Sequence, residues 1–141
     1  MADTIVTKGL EGVNSRRLFV GSCLSLISTS VAFAVVGAIM NALKTEFLLT
    51  NAQVGLIGGA AIWGFTVSIF VLGPMVDAFG MHRLLNLAAL GHFLGPIIMM
   101  LAALSGGAAF WVLFFGALII SLANGTVEAV CNPLVATIYP D

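Results

Sequence analysis

Glu128 is the residue of this chain best placed to do chemistry, because it is a carboxylate inside a long apolar run. A charge at that depth costs about 3 kcal/mol by insertion scales, so it usually faces a polar interior and marks an ion, proton or substrate path. Asn124 and Asn132 stand four residues to either side, which predicts one polar stripe on a helix face. The amides can bind a polar ligand and the carboxyl group can carry a proton. The alternative is a protonated Glu128 that only hydrogen-bonds to a neighbouring helix.

A second candidate is the segment with the pattern Gly73-x3-Asp77-x2-Gly80-x2-Arg83. Asp77 follows an apolar run, and the glycine after it suits a tight turn before the cation. Asp77 could pair with a cation or accept hydrogen bonds from a helix N-terminus. The alternative is a loop that carries one charge of each sign, and the spacing does not separate these two interpretations.

The elements that must position these residues are transmembrane helices. The 141 residues are 60% hydrophobic and 8% charged, with a mean hydropathy of +1.15, whereas a soluble domain carries about 25% charged residues. The gaps between charges, and the turn expected at Ser105-Gly106-Gly107, predict an all-α polytopic bundle with four spans. The predicted spans are residues 18–43, 54–76, 84–104 and 108–138.

The distribution of Lys and Arg predicts the orientation. Lys8, Arg16, Arg17 and Arg83 fall on one side of the predicted hairpins, and only Lys44 falls on the other. We therefore expect a multi-pass protein of the cell membrane, the inner membrane in a Gram-negative cell, with a cytoplasmic N-terminal tail (residues 1–17) and a transmembrane part (residues 18–141). An alternative for the first span is a cleaved twin-arginine export signal, since the chain reads Ser-Arg-Arg-Leu-Phe over residues 15–19.

Small and polar residues inside the second and third spans have mainly structural interpretations. Gly55 and Gly59 have the small-xxx-small spacing, which favours close packing against a neighbouring helix. His92 lies one turn before Pro96 in the third span. It is either a hydrogen-bonded packing residue or a group that titrates near neutral pH.

Two residue patterns resemble those of the major facilitator superfamily. The Gly73–Arg83 segment resembles the loop between helices 2 and 3 of that superfamily, although Ala78, Met81 and His82 stand where basic residues are usual. The string Glu128-Ala129-x2-Asn132-Pro133, preceded by Asn124-Gly125, resembles helix 4 of the fucose:proton symporter branch. Residues 49–57 resemble the entry to helix 2 in the same branch.

The resemblance implies a twelve-helix secondary transporter, of which this chain contains helices 1 to 4 as an N-terminal fragment. It places the proton-coupling and sugar-binding carboxylate of helix 4 on Glu128. The helix 1 carboxylate of that branch falls near Gly37, so Asn41, one turn further on, is the nearest polar candidate. The implied function is transport of a small polar solute, a sugar in that branch, coupled to protons.

The expected partners are the lipid bilayer, the solute with its protons, and the remaining helices of the transporter. Two rival classes stay open: a small four-helix transporter that acts as a homo-oligomer, and a membrane subunit of a larger complex. Nucleic acid is not expected, because the net charge is −1 and there is no basic patch. No metal-ligand cluster or nucleophile motif indicates an enzyme, and no cofactor is implied.

Overall fold

The computed structural model describes residues 14–139, and these residues form helices without any β-strand. Five α-helices and two short 3₁₀ turns follow one another along this part of the chain. The α-helices are α1 (Ser15–Glu46), α2 (Asn51–Leu72), α3 (Val76–Phe79), α4 (Met81–Met100) and α5 (Ala109–Ile138). The 3₁₀ turns, Leu101–Leu104 and Gly106–Ala108, join α4 to α5.

Four of these helical segments are long and apolar enough to cross a membrane. They contain 32, 22, 24 and 33 residues, and the third and fourth include the 3₁₀ turns. The all-α class and the four candidate spans predicted from composition are therefore confirmed. At 1.5 Å per residue α5 alone is about 45 Å long, which exceeds a hydrocarbon core of about 30 Å.

The helix boundaries differ from the predicted spans mainly in the first and second helices. α1 begins at Ser15 rather than residue 18, because the Asn14 side chain accepts a hydrogen bond from the Arg17 backbone N–H at 3.0 Å and caps the helix. It ends at Glu46 rather than residue 43. Most of the predicted N-terminal tail, residues 1–13 with Lys8, lies outside the described residues, as does Asp141.

A capping box starts α2. The Thr50 side chain accepts from the Gln53 backbone N–H at 3.2 Å, and the Gln53 side chain accepts from the Thr50 backbone N–H at 2.9 Å. Both bonds satisfy N–H groups that have no partner within the helix. The second helix therefore starts three residues before the predicted span.

The second span was predicted to reach residue 76, and this end was wrong. α2 ends at Leu72, and Val76 belongs to the short helix α3, where it is buried against Leu84 and Val130. Gly80 then connects α3 to α4 with a φ of 83°, a conformation that favours glycine. The turn predicted at Ser105–Gly107 is present between the two 3₁₀ segments, and Gly106 has a φ of 53°.

α5 is the central helix of the bundle, because α1, α2 and α4 all pack against it. Glycines bring α4 and α5 close together. A Cβ atom added to Gly95 would lie 3.1 Å from the carbonyl oxygen of Gly116, and one added to Gly91 would lie 2.9 Å from the Cβ atom of Ala123. The two helices therefore run antiparallel in direct backbone contact, which brings the side chains between them within hydrogen-bonding reach.

The predicted close packing at Gly55 and Gly59 is not seen among residues 14–139, because an added Cβ atom at either position would meet no atom within 4 Å. The close approach of α2 to α5 occurs one and two turns later. An added Cβ atom at Gly64 would lie 3.0 Å from the Ser121 side chain, and one at Gly125 would lie 2.8 Å from the Cβ atom of Ser68. The pair Gly64 and Ser68 on α2 thus packs against the pair Ser121 and Gly125 on α5, and the two helices are parallel.

Candidate functional site

The predicted polar stripe on α5 is present but turns around the helix axis. Asn124 is fully buried, Glu128 is half-buried and Asn132 is exposed. Four residues of α-helix rotate the side chain by about 400°, so each step along the stripe moves it about 40° around the axis. Asn124 therefore lies in the bundle interior near the middle of α5, whereas Asn132 lies at its surface in this chain.

The two residues of the stripe that are not fully buried form a hydrogen bond with each other. Asn132 donates from Nδ2 to the Oε2 atom of Glu128 at 2.8 Å. This hydrogen bond orients the carboxyl group along α5 and leaves its second oxygen free for another donor. No Lys or Arg follows Arg83 in the sequence, so α4 beyond its first turn and α5 offer Glu128 no basic partner.

Glu128 points to the side of α5 that lies between α1 and α2. Around the helix axis it is about 60° from Gly125 and about 60° from Cys131. Gly125 contacts α2, and Cys131 packs in a cluster that includes Leu26 of α1. The Glu128 side chain therefore lies between the contact of α5 with α2 and its contact with α1.

Asn124 contacts a residue of α4 that was not assigned to the site from the sequence. Its Oδ1 atom lies 2.6 Å from the Nε2 atom of His92. The Nδ1 atom of the same ring lies 2.8 Å from the backbone carbonyl oxygen of Ala88. The Nδ2 atom of Asn124 is buried and has no hydrogen-bond partner among residues 14–139. The interior end of the stripe is therefore a polar pair with one unsatisfied donor group.

A second polar contact joins α2 to α5. The Ser68 hydroxyl oxygen lies 2.8 Å from the Leu122 backbone carbonyl oxygen and 2.9 Å from the Thr126 hydroxyl oxygen, and its single proton is donated to one of these two acceptors. Thr126 itself donates to the Leu122 carbonyl at 2.7 Å. One turn earlier, the Ser121 hydroxyl group bonds to the Ala61 carbonyl of α2. Both hydroxyl groups of the Ser68–Thr126 pair are satisfied, so this contact fixes the helices rather than offering a binding group.

A cleft of about 520 Å³ between α1 and α4 reaches the polar pair from the half of the bundle that contains the α1–α2 loop. His92 lies at its inner end, and the apolar side chains of Leu43, Phe47 and Met100 lie toward the loop that joins α1 to α2. His92 is the only titratable residue among those that line the cleft. The imidazole ring is thus the polar group at the bottom of an apolar opening.

Asn41 is not brought together with the stripe. It is exposed and lies two residues before Leu43, which packs against the cluster around Leu113. The part of α1 at the level of Val127 is near Leu26. At 1.5 Å per residue Asn41 lies about 22 Å further along α1. Any role of Asn41 therefore belongs to the end of the bundle that contains the α1–α2 loop.

The loop residues Gly73, Asp77, Gly80 and Arg83 lie at the opposite end. Asp77 and Arg83 are both exposed, and Asp77 lies in the first turn of α3. The glycines have a local reason: an added Cβ atom at Gly73 would lie 2.7 Å from the carbonyl oxygen of Ile69, and Gly80 has a positive φ. The backbone geometry of the turn accounts for Gly73 and Gly80. The role of Asp77 and Arg83 stays a prediction.

Comparison with protein-family models, curated proteins and solved structures finds no match for this chain. The resemblance to the major facilitator superfamily therefore rests on the residue patterns alone. What the structure shows directly is a helical chain with four candidate membrane spans.

The sequence contains a pattern at the α2–α5 contact, although this contact was not predicted. Gly64 and Ser68 on α2, and Ser121 and Gly125 on α5, have the same small-xxx-small spacing as Gly55 and Gly59. These four residues differ from Gly55 and Gly59 because they contact each other across α2 and α5. The contact of His92 with Asn124 depends on how α4 is aligned along α5, and the close packing of these two helices sets that alignment.

Proposed function

We propose that this chain supplies four helices of a secondary transporter that moves a small polar solute together with protons. Glu128 is the proton-carrying group, and Asn132 positions it. The resemblance of the Asn124–Pro133 segment to helix 4 of the fucose:proton symporter branch suggests a sugar as the solute.

The observation that carries the proposal is the hydrogen bond between Asn132 and Glu128, with its 2.8 Å separation of Nδ2 from Oε2. A carboxyl group held from one side and free on the other can bind a donor group of a solute or a proton. Its position at a membrane-spanning depth is expensive unless it serves such a path or a partner. The half-buried position of Glu128 on the side of α5 between α1 and α2 supports the same interpretation, because a carboxyl group in a membrane span usually faces a polar interior.

The test is proton movement in reconstituted vesicles. The protein is incorporated into liposomes that contain a pH-sensitive dye, and a panel of sugars and other small polar solutes is added outside. We expect alkalinisation of the outer medium, or acidification inside, with at least one neutral polar solute. The protein is used both as the 141-residue chain and as the product of the reading frame continued past Asp141.

The two forms separate the alternatives. Activity in the longer product alone supports helices of a larger transporter, and activity in the 141-residue chain supports a homo-oligomeric transporter. If no solute causes proton movement with either form, the proposal is contradicted and the membrane-subunit alternative is favoured.

A further inference from the structure

The hydrogen-bond pattern of His92 fixes where its first proton lies. The Nδ1 atom is 2.8 Å from the backbone carbonyl oxygen of Ala88, and a carbonyl oxygen only accepts hydrogen bonds. Nδ1 therefore carries a proton and donates it. The second ring nitrogen, Nε2, is left to face Asn124 across the α4–α5 contact.

The charge of the imidazole then decides which end of the Asn124 amide can face it. A neutral ring with its proton on Nδ1 has a lone pair on Nε2, which needs the Nδ2 donor of Asn124. A charged ring has a second N–H on Nε2, which needs the Oδ1 acceptor. The structure shows the second arrangement, with Oδ1 2.6 Å from Nε2. The amide orientation and the ring protonation thus depend on each other.

The unsatisfied group of Asn124 gives this dependence a driving force. Asn124 has 0% of its surface exposed, and its Nδ2 atom has no partner among residues 14–139. A buried donor without a partner is unfavourable. When Nε2 loses its proton, rotation of the amide by about 180° brings Nδ2 to the lone pair, since the two ends of an amide have nearly the same shape. The rotation removes one unsatisfied donor in the neutral state.

The surroundings leave His92 as the titratable group of this contact. On α5 the nearest such group is Glu128, one turn beyond Asn124 toward the inner end. α2 carries no Asp, Glu, His, Lys, Arg or Cys between residues 51 and 72. On α1 the single titratable residue between Arg17 and Lys44 is Cys23, which is not among the cleft residues.

On its own helix, His82 and Arg83 lie more than two turns from His92 and are exposed. The other side of the ring lines the cleft between α1 and α4.

We propose that His92 is a proton-binding site, reached from the outer half of the bundle through the α1–α4 cleft, and that the Asn124 amide rotates with each proton bound. Water supplies the proton, the Nε2–H bond forms, and Asn124 Oδ1 accepts the new hydrogen bond. A transport role for the pair rests on the proposed function: His92 would serve the outer half and Glu128 the inner half of one proton path. The proton-dependent rotation itself does not depend on transport.

The experiment is NMR spectroscopy of the 141-residue chain in lipid nanodiscs, with labelled histidine rings and labelled asparagine side chains. The chain contains two histidines, so His82→Gln assigns both ring signals. Asn124→Ser assigns the amide signals of Asn124. Between pH 8.5 and pH 5 we expect His92 to change from the form protonated on Nδ1 alone to the form protonated on both nitrogens. The Asn124 amide signals should shift with the same midpoint.

His82 is the internal control. It is exposed, and its Nε2 atom lies 3.2 Å from the Nδ2 atom of Asn86 on the same helix. Its titration should leave the Asn124 signals unchanged.

Three results would overturn the proposal: a neutral His92 with its proton on Nε2, Asn124 signals that do not follow the His92 titration, or no titration of His92 in this pH range. Each is read from the spectra of the unmodified chain, once the variants have assigned its signals. Vesicle assays separate the two proposals. If no solute drives proton movement while the His92–Asn124 pair titrates as described, the transport proposal fails and the proton site stands.

Discussion

The Nδ2 atom of Asn132 donates to the Oε2 atom of Glu128 at 2.8 Å, one turn apart on α5. The contact makes Asn132 a positioning residue for the carboxyl group in the proposed transporter. Glu128→Gln keeps the size of the side chain but removes its titration. We expect this variant to abolish pH-driven uptake in vesicles with normal membrane insertion. Asn132→Ala should reduce uptake by about tenfold, the equivalent of one hydrogen bond of about 1.4 kcal/mol.

Glu46→Gln is the matched control, because Glu46 is an exposed carboxylate at the last residue of α1. It should leave the uptake and its pH profile unchanged. An unchanged pH profile in Glu128→Gln would show that the Glu128 carboxyl group is structural.

The close contact of α4 and α5 predicts a position-specific response to alanine. In Gly95→Ala the new Cβ atom would lie 2.5 Å from the Cγ1 atom of Ile120 and 3.1 Å from the Gly116 carbonyl oxygen. We expect a loss of about 1–3 kcal/mol in the free energy of unfolding, as for overpacked cores. Reversible unfolding in mixed micelles or bicelles measures it.

Gly59→Ala provides the comparison, since its added Cβ atom would meet nothing within 4 Å. It should be neutral or more stable by up to about 1 kcal/mol, because alanine favours the helix more than glycine does. Equal destabilisation by both substitutions would contradict the α4–α5 contact described above.

The hydroxyl pair of Ser68 and Thr126 predicts a measurable coupling between α2 and α5. Their oxygens are 2.9 Å apart, and each side chain is 3% exposed. A double-mutant cycle with Ser68→Ala and Thr126→Val should give a coupling energy of about 0.6 kcal/mol, the average for hydrogen bonds between membrane helices. A cycle with Thr66→Val in place of Ser68→Ala should give none, because Thr66 is exposed and bonds to the Ile62 carbonyl of its own helix. Simple additivity for Ser68 and Thr126 would contradict the contact.

The orientation predicted from the basic residues is tested by cysteine labelling in intact cells. Single cysteines are introduced at Asn51 and at Met81 in a chain whose Cys23 and Cys131 are replaced by Ala. A reagent that does not cross the membrane should label position 51, the first residue of α2, and miss position 81, the first residue of α4. The reverse pattern would contradict a cytoplasmic N-terminus and favour the cleaved-signal alternative.

Sequence reasoning predicted the helical spans well because hydropathy and charge placement act locally. The ends it missed depend on single side chains. The Asn14 cap lengthens α1, and the turn after Leu72 separates Val76 from α2. Individual hydrogen bonds and glycines determine these helix ends, and a hydropathy pattern does not resolve them.

The candidate site was predictable only along one helix. The spacing of Asn124, Glu128 and Asn132 put them on one strip of α5, and the structure keeps that order. The contact of Asn124 with His92 depends on the antiparallel register of α4 against α5, which Gly91 and Gly95 make possible. Such a register involves residues about 30 positions apart, so periodicity within one helix carries no information about it.

The central position of α5 has a consequence for biogenesis. α1, α2 and α4 precede it in the chain, so they leave the ribosome first. Until α5 follows, Ser68 lacks the Leu122 carbonyl and His92 lacks the Asn124 amide. We expect the nascent three-helix intermediate to remain beside the insertion machinery, with these polar groups shielded from lipid, until the fourth segment is released. Stalled chains in which α5 is still inside the ribosome should therefore give crosslinking to the translocon that released chains do not.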